Sequence, residues 1–251
     1  MKNKNLRKLG SNTAKGGFKN ETIVVEKFNN WKKDGDAQSW LKIMGYDLKK
    51  IEKVEAVKIF GHKTDVQAKI TIYMRDAIAA ENLSVKLVSN KRGFNQIDKR
   101  WVDKYVEMWS IPKDVAKTLK LFTGEIKPTR KGLKDPRRLR FDEMEKNQRE
   151  AAVCFFLQNK ILIISDILKG RGPFSAGWML VARKIPKGNQ DWVLKSINHV
   201  LNHYGNGPVE VSPQGSLRIG RITMQRKGGD AGRSTANMLQ FKMDPSELFD
   251  S

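Results

Sequence analysis

Two places in the chain carry residues that could cut a phosphodiester with a metal ion. Asp65 follows Thr64 at the head of a β-rich run (VQAKITIYM, 66–74), and Ser84-Val85-Lys86 lies within the next one (LSVKLV, 83–88). Such cleavage needs hard oxygen ligands and a way to activate water. Mg²⁺ takes one or two carboxylates together with phosphate oxygens and waters. It polarises the phosphate, lowers the pKa of a bound water and stabilises the leaving oxygen. A lysine nearby adds a point charge to the transition state or orients the attacking water. Residues two apart on a strand share a face, so Ser84 and Lys86 project together. A hairpin-like arrangement of the strands can bring Asp65 to that face, and the Val85 carbonyl is a further candidate ligand. On spacing alone the pattern is not specific, because a surface strand with solvated charges reads the same way.

The elements that must position these residues are legible as periodicities. FKNETIVVEKFNNW (18–31) has helical spacing of Phe18, Val24, Val25, Phe28 and Trp31, with Asn20 or Thr22 as its start, and a short helix is expected over 37–44 before Gly45. β-Branched runs at 54–60, 66–74 and 83–88 predict strands, the first two a hairpin around GHKTD. Helices are expected over 96–109, 115–122, 142–159 and 191–204, and strands over 160–165, 178–184, 209–211, 216–225 and 238–243. EIKPTRKGLKDPRRLR (125–140), with two prolines and many cations, reads as a linker or basic loop. The expected fold class is therefore α+β. Its division is a catalytic lobe over 1–124 with a basic N-terminal arm, the basic segment 125–140, and a second lobe over 141–251.

Charge narrows the partner. The chain has 48 Lys and Arg against 27 Asp and Glu, a formal net charge of +21. A field of that sign attracts polyanions, and nucleic acid leads the possible partners. No apolar run reaches membrane-spanning length, and the N-terminus lacks a hydrophobic signal core. Cys154 is the single cysteine; it excludes an internal disulfide, fits a reducing cytoplasm, and reads as a small buried hydrophobe. His199 and His203 have a metal-compatible i, i+4 spacing, but no HExxH pattern accompanies them, so they read as helix-face residues.

Longer blocks point further. LGSNTAKGGFKNE (9–21), VKLVSNKRGFNQIDKRW (85–101), YGNGPVEVSPQGS (204–216) and QRKGGDAGRSTANMLQFKMDPSELFD (225–250) resemble a small four-base-cutting type II restriction endonuclease of the HinP type. The resemblance covers nearly the whole chain and is weakest near 125–150. It implies the PD-(D/E)XK nuclease fold of the related enzyme MspI: a mixed β-sheet flanked by helices, with a C-terminal α/β DNA-recognition lobe. It implies Mg²⁺-dependent hydrolysis of double-stranded DNA at or near GCGC, giving 5′-phosphate ends, with Mn²⁺ able to substitute. It also implies a cognate DNA methyltransferase in the same prokaryotic cell, and an enzyme acting as a monomer or weak homodimer. Asp65 then resembles the metal-binding aspartate and Lys86 the motif lysine. Ser84 departs from the family pattern, which has Asp or Glu there, or an amide such as Gln. That departure keeps a second reading open, a sequence-specific DNA-binding protein with weak or absent cleavage. Glu21 is the candidate second carboxylate, because many members of the superfamily supply one from the first helix; as an N-terminal helix residue it would also complement the helix dipole.

Two segments suit DNA contact. Asn90, Lys91, Arg92, Phe94, Asn95, Gln96 and Lys99 combine cations, amides and an aromatic, a composition suited to groove entry, with Phe94 as a wedge at a base step or as an anchor into the core. Gln225, Arg226, Lys227, Asp230 and Arg233 form a polar glycine-rich turn. Arg and Lys pair with guanine and Asp accepts from cytosine, although phosphate contact is equally open to them. The N-terminal arm, Lys15 included, and the cations of 127–140 would add salt-sensitive phosphate contact.

Overall fold

The computed structural model describes residues 19–59, 68–88, 93–185, 190–229 and 232–251. The chain divides into two compact units. One contains the described residues up to Asn95, Leu168–Leu201 and Asp244–Ser251; the other contains Gln96–Ile167 and Asn202–Met243. Neither is a continuous stretch, and the basic segment 125–140 runs inside the second.

The first unit is built on a mixed sheet. Its strands are β1 (Ile51–Lys58), β2 (Ala68–Met74), β3 (Ile78–Val88), β5 (Trp178–Lys184) and β6 (Gln190–Ser196), in the order β1-β2-β3-β5-β6. β1, β2 and β3 form an antiparallel meander, β5 pairs β3 in parallel, and β6 returns antiparallel. Helix α1 (19–29) and helix α2 (Gly35–Ile43) cover one face. Val24 and Phe28 of α1 and Trp40 and Leu41 of α2 meet Ile70, Ile72, Leu83, Val85 and Leu180 in one core. Alternate strand residues supply that core, as the period of two requires. Asp34 sets the start of α2, its Oδ1 accepting from the Ala37 N–H at 3.0 Å.

The second unit holds an antiparallel sheet. β4 (Asn95–Arg100), β7 (Val209–Val211), β8 (Leu217–Ile219), β9 (Ile222–Arg226) and β10 (Leu239–Met243) lie in the order β4-β10-β9-β8-β7. Helices α3 (Val102–Trp109), α4 (Lys113–Thr123), α5 (Lys146–Gln158) and α6 (Lys160–Leu168) belong with it, and α7 (Ile197–Gly205) follows β6. Tyr105, Trp109 and Phe241 stack in its core, and the Tyr105 hydroxyl donates to Asp98 at 2.5 Å.

Most of the expected elements are present, and four readings are corrected. The expected helix over 96–109 opens as strand β4 and becomes helical only at Val102, because Asn95–Arg100 lies beside β10 in the sheet. The run 160–165 is helix α6, not a strand. Its buried apolar residues are Ile163, Ile164, Ile167 and Leu168, a helical spacing that a short apolar run conceals. Residues 190–196 pair with β5 as a strand before α7 begins, so only the second half of the expected helix over 191–204 is helical. The expected strand over 216–225 breaks at Gly220. That residue has φ +59, and a Cβ there would lie 2.4 Å from the Tyr204 carbonyl oxygen. Cys154 is exposed on α5 rather than buried. No single described helix is long and apolar enough to cross a membrane; α5 and α6 pass that test only together, and they are bent by 69°.

Candidate active site

The sheet of the first unit brings the expected catalytic segments toward one end. Lys58 pairs with Ala68, and Ala68 with Leu83, so these three residues form a row across β1, β2 and β3. β1 ends at this row, β2 begins there, and Ser84, Val85 and Lys86 continue β3 just past it. The β2 pairing of β3 stops at Leu83, whereas β5 pairs it through Val88. Asp65 lies between β1 and β2, outside the described residues, as do Lys15, Asn90, Lys91, Arg92 and Asp230.

Leu83 and Val85 join the core, so Ser84 and Lys86 alternate to the other face of the strand. Ser84 is 0% exposed, and its hydroxyl has no hydrogen-bond partner among the described residues. An orphaned buried hydroxyl is unusual, since nearly all buried polar atoms are satisfied. Glu21, near the start of α1, stands 4.0 Å from the Lys58 ammonium. Burial raises its carboxyl pKa above the ordinary range, and the cations of Lys58 and then Lys86 hold that rise back. Lys58 and Lys86 are therefore both within electrostatic reach of Glu21.

Among the described residues no three His, Cys, Asp or Glu side chains cluster as a metal site. The donors present are nevertheless oxygens, the Glu21 carboxylate and the Ser84 hydroxyl without a partner, and hard oxygen ligands suit a hard divalent cation. The sequence reading named Glu21, Ser84 and Lys86 but missed Lys58. Its only signal there was a lysine ending the strand that leads toward Asp65.

Two hydrogen bonds hold Gly93 and Asn95 in place. The Gly93 N–H donates to Asp244 Oδ1 at 3.3 Å, and the Asn95 amide donates to the Leu87 carbonyl at 3.1 Å. Between them Phe94 is 64% exposed, so it does not anchor the loop to the core. Gln96 and Lys99 are exposed on β4, while Asp98 between them is buried and held by Arg100 and Tyr105.

The glycine-rich turn after β9 behaves differently. Arg226 spends its guanidinium inside the unit, Nε on the Thr123 carbonyl at 2.8 Å and Nη2 on Asn237 Oδ1 at 2.7 Å. The Lys227 and Gly228 N–H groups donate to the Met238 and Ala236 carbonyls, which closes the turn. Gln225 is half-buried and Arg233 is exposed. His199 contacts Ser251 and His203 packs edge-on to Tyr204, so both behave as helix-face residues.

A family model for the R.HinP1I restriction endonuclease matches residues 44–249. Among solved structures, the restriction endonuclease MspI in complex with its cognate DNA has a similar fold, with a TM-score of 0.65 and 14% identity over 94% of this chain and 92% of that one. No curated protein sequence matches the chain. The mixed sheet flanked by helices agrees with the PD-(D/E)XK core expected from the sequence. With four-fifths of its length under that family model, the chain belongs to the R.HinP1I restriction endonuclease family and is a type II site-specific deoxyribonuclease.

Proposed function

We propose that this enzyme hydrolyses double-stranded DNA at or near GCGC with Mg²⁺, Mn²⁺ substituting, and leaves 5′-phosphate ends. The observation that carries the reading is the cluster of Glu21, Lys58 and Lys86 beside the orphaned Ser84 hydroxyl, at the sheet end that leads into the Asp65 segment. Asp65 and Glu21 would hold the metal, with the Val85 carbonyl, and Ser84 through a water. When bound, the cation would supply charge to the scissile phosphate and acidify a water. Lys86 adds a fixed positive charge where the phosphorane develops and orients the attacking water. Ser84 contributes no charge, so Asp65 and Glu21 carry the anionic side of the site.

DNA contact is assigned to Phe94 as a wedge and to Asn90, Lys91, Arg92, Asn95, Gln96 and Lys99 around it. The exposure of Phe94, Gln96 and Lys99 supports this. Gln225, Lys227, Asp230 and Arg233 are assigned to reading or gripping the site, with Arg226 as the strut of that turn, and Lys15 to the backbone. The proposed setting is a prokaryotic cytoplasm with a cognate methyltransferase, and a monomer or weak homodimer cutting the strands in turn.

The test is plasmid digestion by purified protein with Mg²⁺ and with Mn²⁺. Discrete fragments with ends at GCGC and 5′-phosphates are expected, and methylation of the site is expected to protect it. An intact plasmid under both metals, with band shifts retained, would show a DNA-binding protein that does not cut. Cutting at another sequence would overturn the GCGC assignment alone.

A further inference from the structure

The second unit carries an arginine cluster that the cutting site does not use. Asp135 is buried and grips two guanidinium groups. Its Oδ1 accepts from Arg137 Nε at 2.8 Å, and its Oδ2 accepts from Arg137 Nη2 at 3.0 Å and from Arg138 Nε at 3.3 Å. The Arg138 guanidinium also lies 5.5 Å from the Phe122 ring centroid, a cation–π arrangement that fixes its plane. Arg140 and Arg226 lie within electrostatic reach of Arg138, and Arg137 within reach of Arg226. Two guanidinium groups thus share one carboxylate with two more cations nearby, and burial plus mutual repulsion already press the Arg138 and Arg226 pKa values below the ordinary arginine range. The Arg137 side chain is 69% exposed, so the excess charge opens to solvent.

The cluster is tied to the recognition turn. Arg226 begins that turn and holds the Thr123 carbonyl, and Asn237, at its far side, accepts from Arg226 and donates to the Gly124 carbonyl at 3.1 Å. Gly124 is packed against Arg137 so closely that a Cβ there would lie 2.6 Å from the Arg137 carbonyl oxygen. The C-terminal end of α4, the turn and the arginine pair are therefore joined by hydrogen bonds and close packing. A guanidinium fork held in plane is suited to a tetrahedral oxyanion, and a phosphodiester would relieve the repulsion that one carboxylate leaves.

We propose that Arg137 and Arg138, oriented by Asp135 and Phe122, grip one backbone phosphate of bound DNA and so set the position of the recognition turn that Arg226 anchors. This rests on the reading of the protein as a double-stranded DNA enzyme. The grip is blind to sequence, as phosphate contacts are.

The test uses the full-length protein without divalent metal and two labelled duplexes of equal length, one with GCGC and one without. Affinities are read by fluorescence anisotropy across a salt series. Removing one phosphate contact is expected to take about 0.9 off the log–log salt slope, which is about an eightfold loss of affinity at 0.1 M salt. Arg137→Ala is expected to show this equally on both duplexes. Arg138→Lys, which keeps charge but loses the fork, is expected to weaken binding as well. Lys146→Ala, a surface cation of the same unit, is expected to leave the slope unchanged.

Asp135→Asn separates an oriented grip from simple attraction. Removing a negative charge from a basic patch would tighten binding if only net charge mattered, whereas weaker binding is expected if Asp135 holds the forks in place. Thermal melts confirm that each variant is folded. An Arg137→Ala slope equal to that of the parent, or tighter binding by folded Asp135→Asn, would overturn the proposal. Competition by inorganic phosphate at constant ionic strength that Arg137→Ala abolishes would reassign the site to a free anion. Failure of the parent protein to bind either duplex would instead count against the proposed function.

Discussion

Replacing Ser84 by alanine tests the site without adding a group. The hydroxyl is fully buried and has no hydrogen-bond partner among the described residues. An orphaned polar group costs ~1–3 kcal/mol of desolvation that no hydrogen bond returns. Removing one oxygen leaves a void of ~15 Å³, worth ~0.4 kcal/mol at ~24 cal/mol per Å³. The first quantity exceeds the second, so Ser84→Ala is expected to stabilise the metal-free protein by ~1–2 kcal/mol, or a Tm rise of roughly 2–8 °C at this chain length. Urea melts and calorimetry in EDTA measure it. Repeating the melts with Mg²⁺ separates the roles of the oxygen, because a ligand that binds only the folded state stabilises it in proportion to its affinity. If the hydroxyl helps hold the cation, the Mg²⁺-induced rise will be smaller in Ser84→Ala than in the parent. Destabilisation of the metal-free variant would refute the reasoning, since it would mean that the hydroxyl already has a partner.

Other expectations follow from the same contacts. Lys86→Met is expected to lower kcat for plasmid cleavage by two or more orders of magnitude with little change in DNA affinity, read by single-turnover digestion. Glu21→Gln is expected to abolish cleavage while leaving Tm equal or higher, because the fold disfavours the charged form and the raised pKa says so; a fall of several degrees would contradict it. Asp135 has a pKa lowered from 3.8 to about 2, chiefly by its Arg137 hydrogen bonds. Because the folded value is depressed, its contribution is complete above the unfolded value and is lost as pH falls toward 2. Urea melts of Asp135→Asn and the parent are therefore expected to differ at neutral pH and to converge between pH 4 and 2. Phe94→Ala is expected to leave Tm unchanged and to reduce cleavage, read as a selective loss on intact duplex relative to a substrate with an unpaired base step.

Strands β1, β2, β3 and β5 were the most legible elements, because the first three are rich in β-branched residues and burial alternates along 68–74; β6 of the same sheet reads as helix, and only its pairing with β5 makes it a strand. The β1–β2 hairpin followed from the same pattern. Sheet B was harder. Asn95–Arg100 carries a helix-like sequence, and its place beside β10, more than a hundred residues away, decides its conformation. At the site, Lys86 and Glu21 were nameable from motif and superfamily habit, and the Lys86 charge reaches the Glu21 carboxyl. Lys58 had no local mark, because its place beside Glu21 depends on the row it shares with Ala68 and Leu83. The internal bonds of Arg226 were hidden for a similar reason: a guanidinium in a polar turn suggests solvent or DNA, and its hydrogen bonds to Thr123 and Asn237 depend on the three-dimensional position of those residues.

The parallel pairing of β3 with β5 has a consequence for how the enzyme is made. Val88 and Trp178 stand at the ends of these neighbouring strands, and most of the second unit is encoded between them. During synthesis β3, which bears Ser84 and Lys86, emerges long before its partner. At ~5–20 residues per second, the roughly ninety residues between them take about 5–20 s to appear. Throughout that interval one edge of the strand is unpaired, and the sheet stays incomplete until β5 and then β6 arrive. Assembly of the nuclease core is therefore a late event, timed by the length of the insertion between β3 and β5.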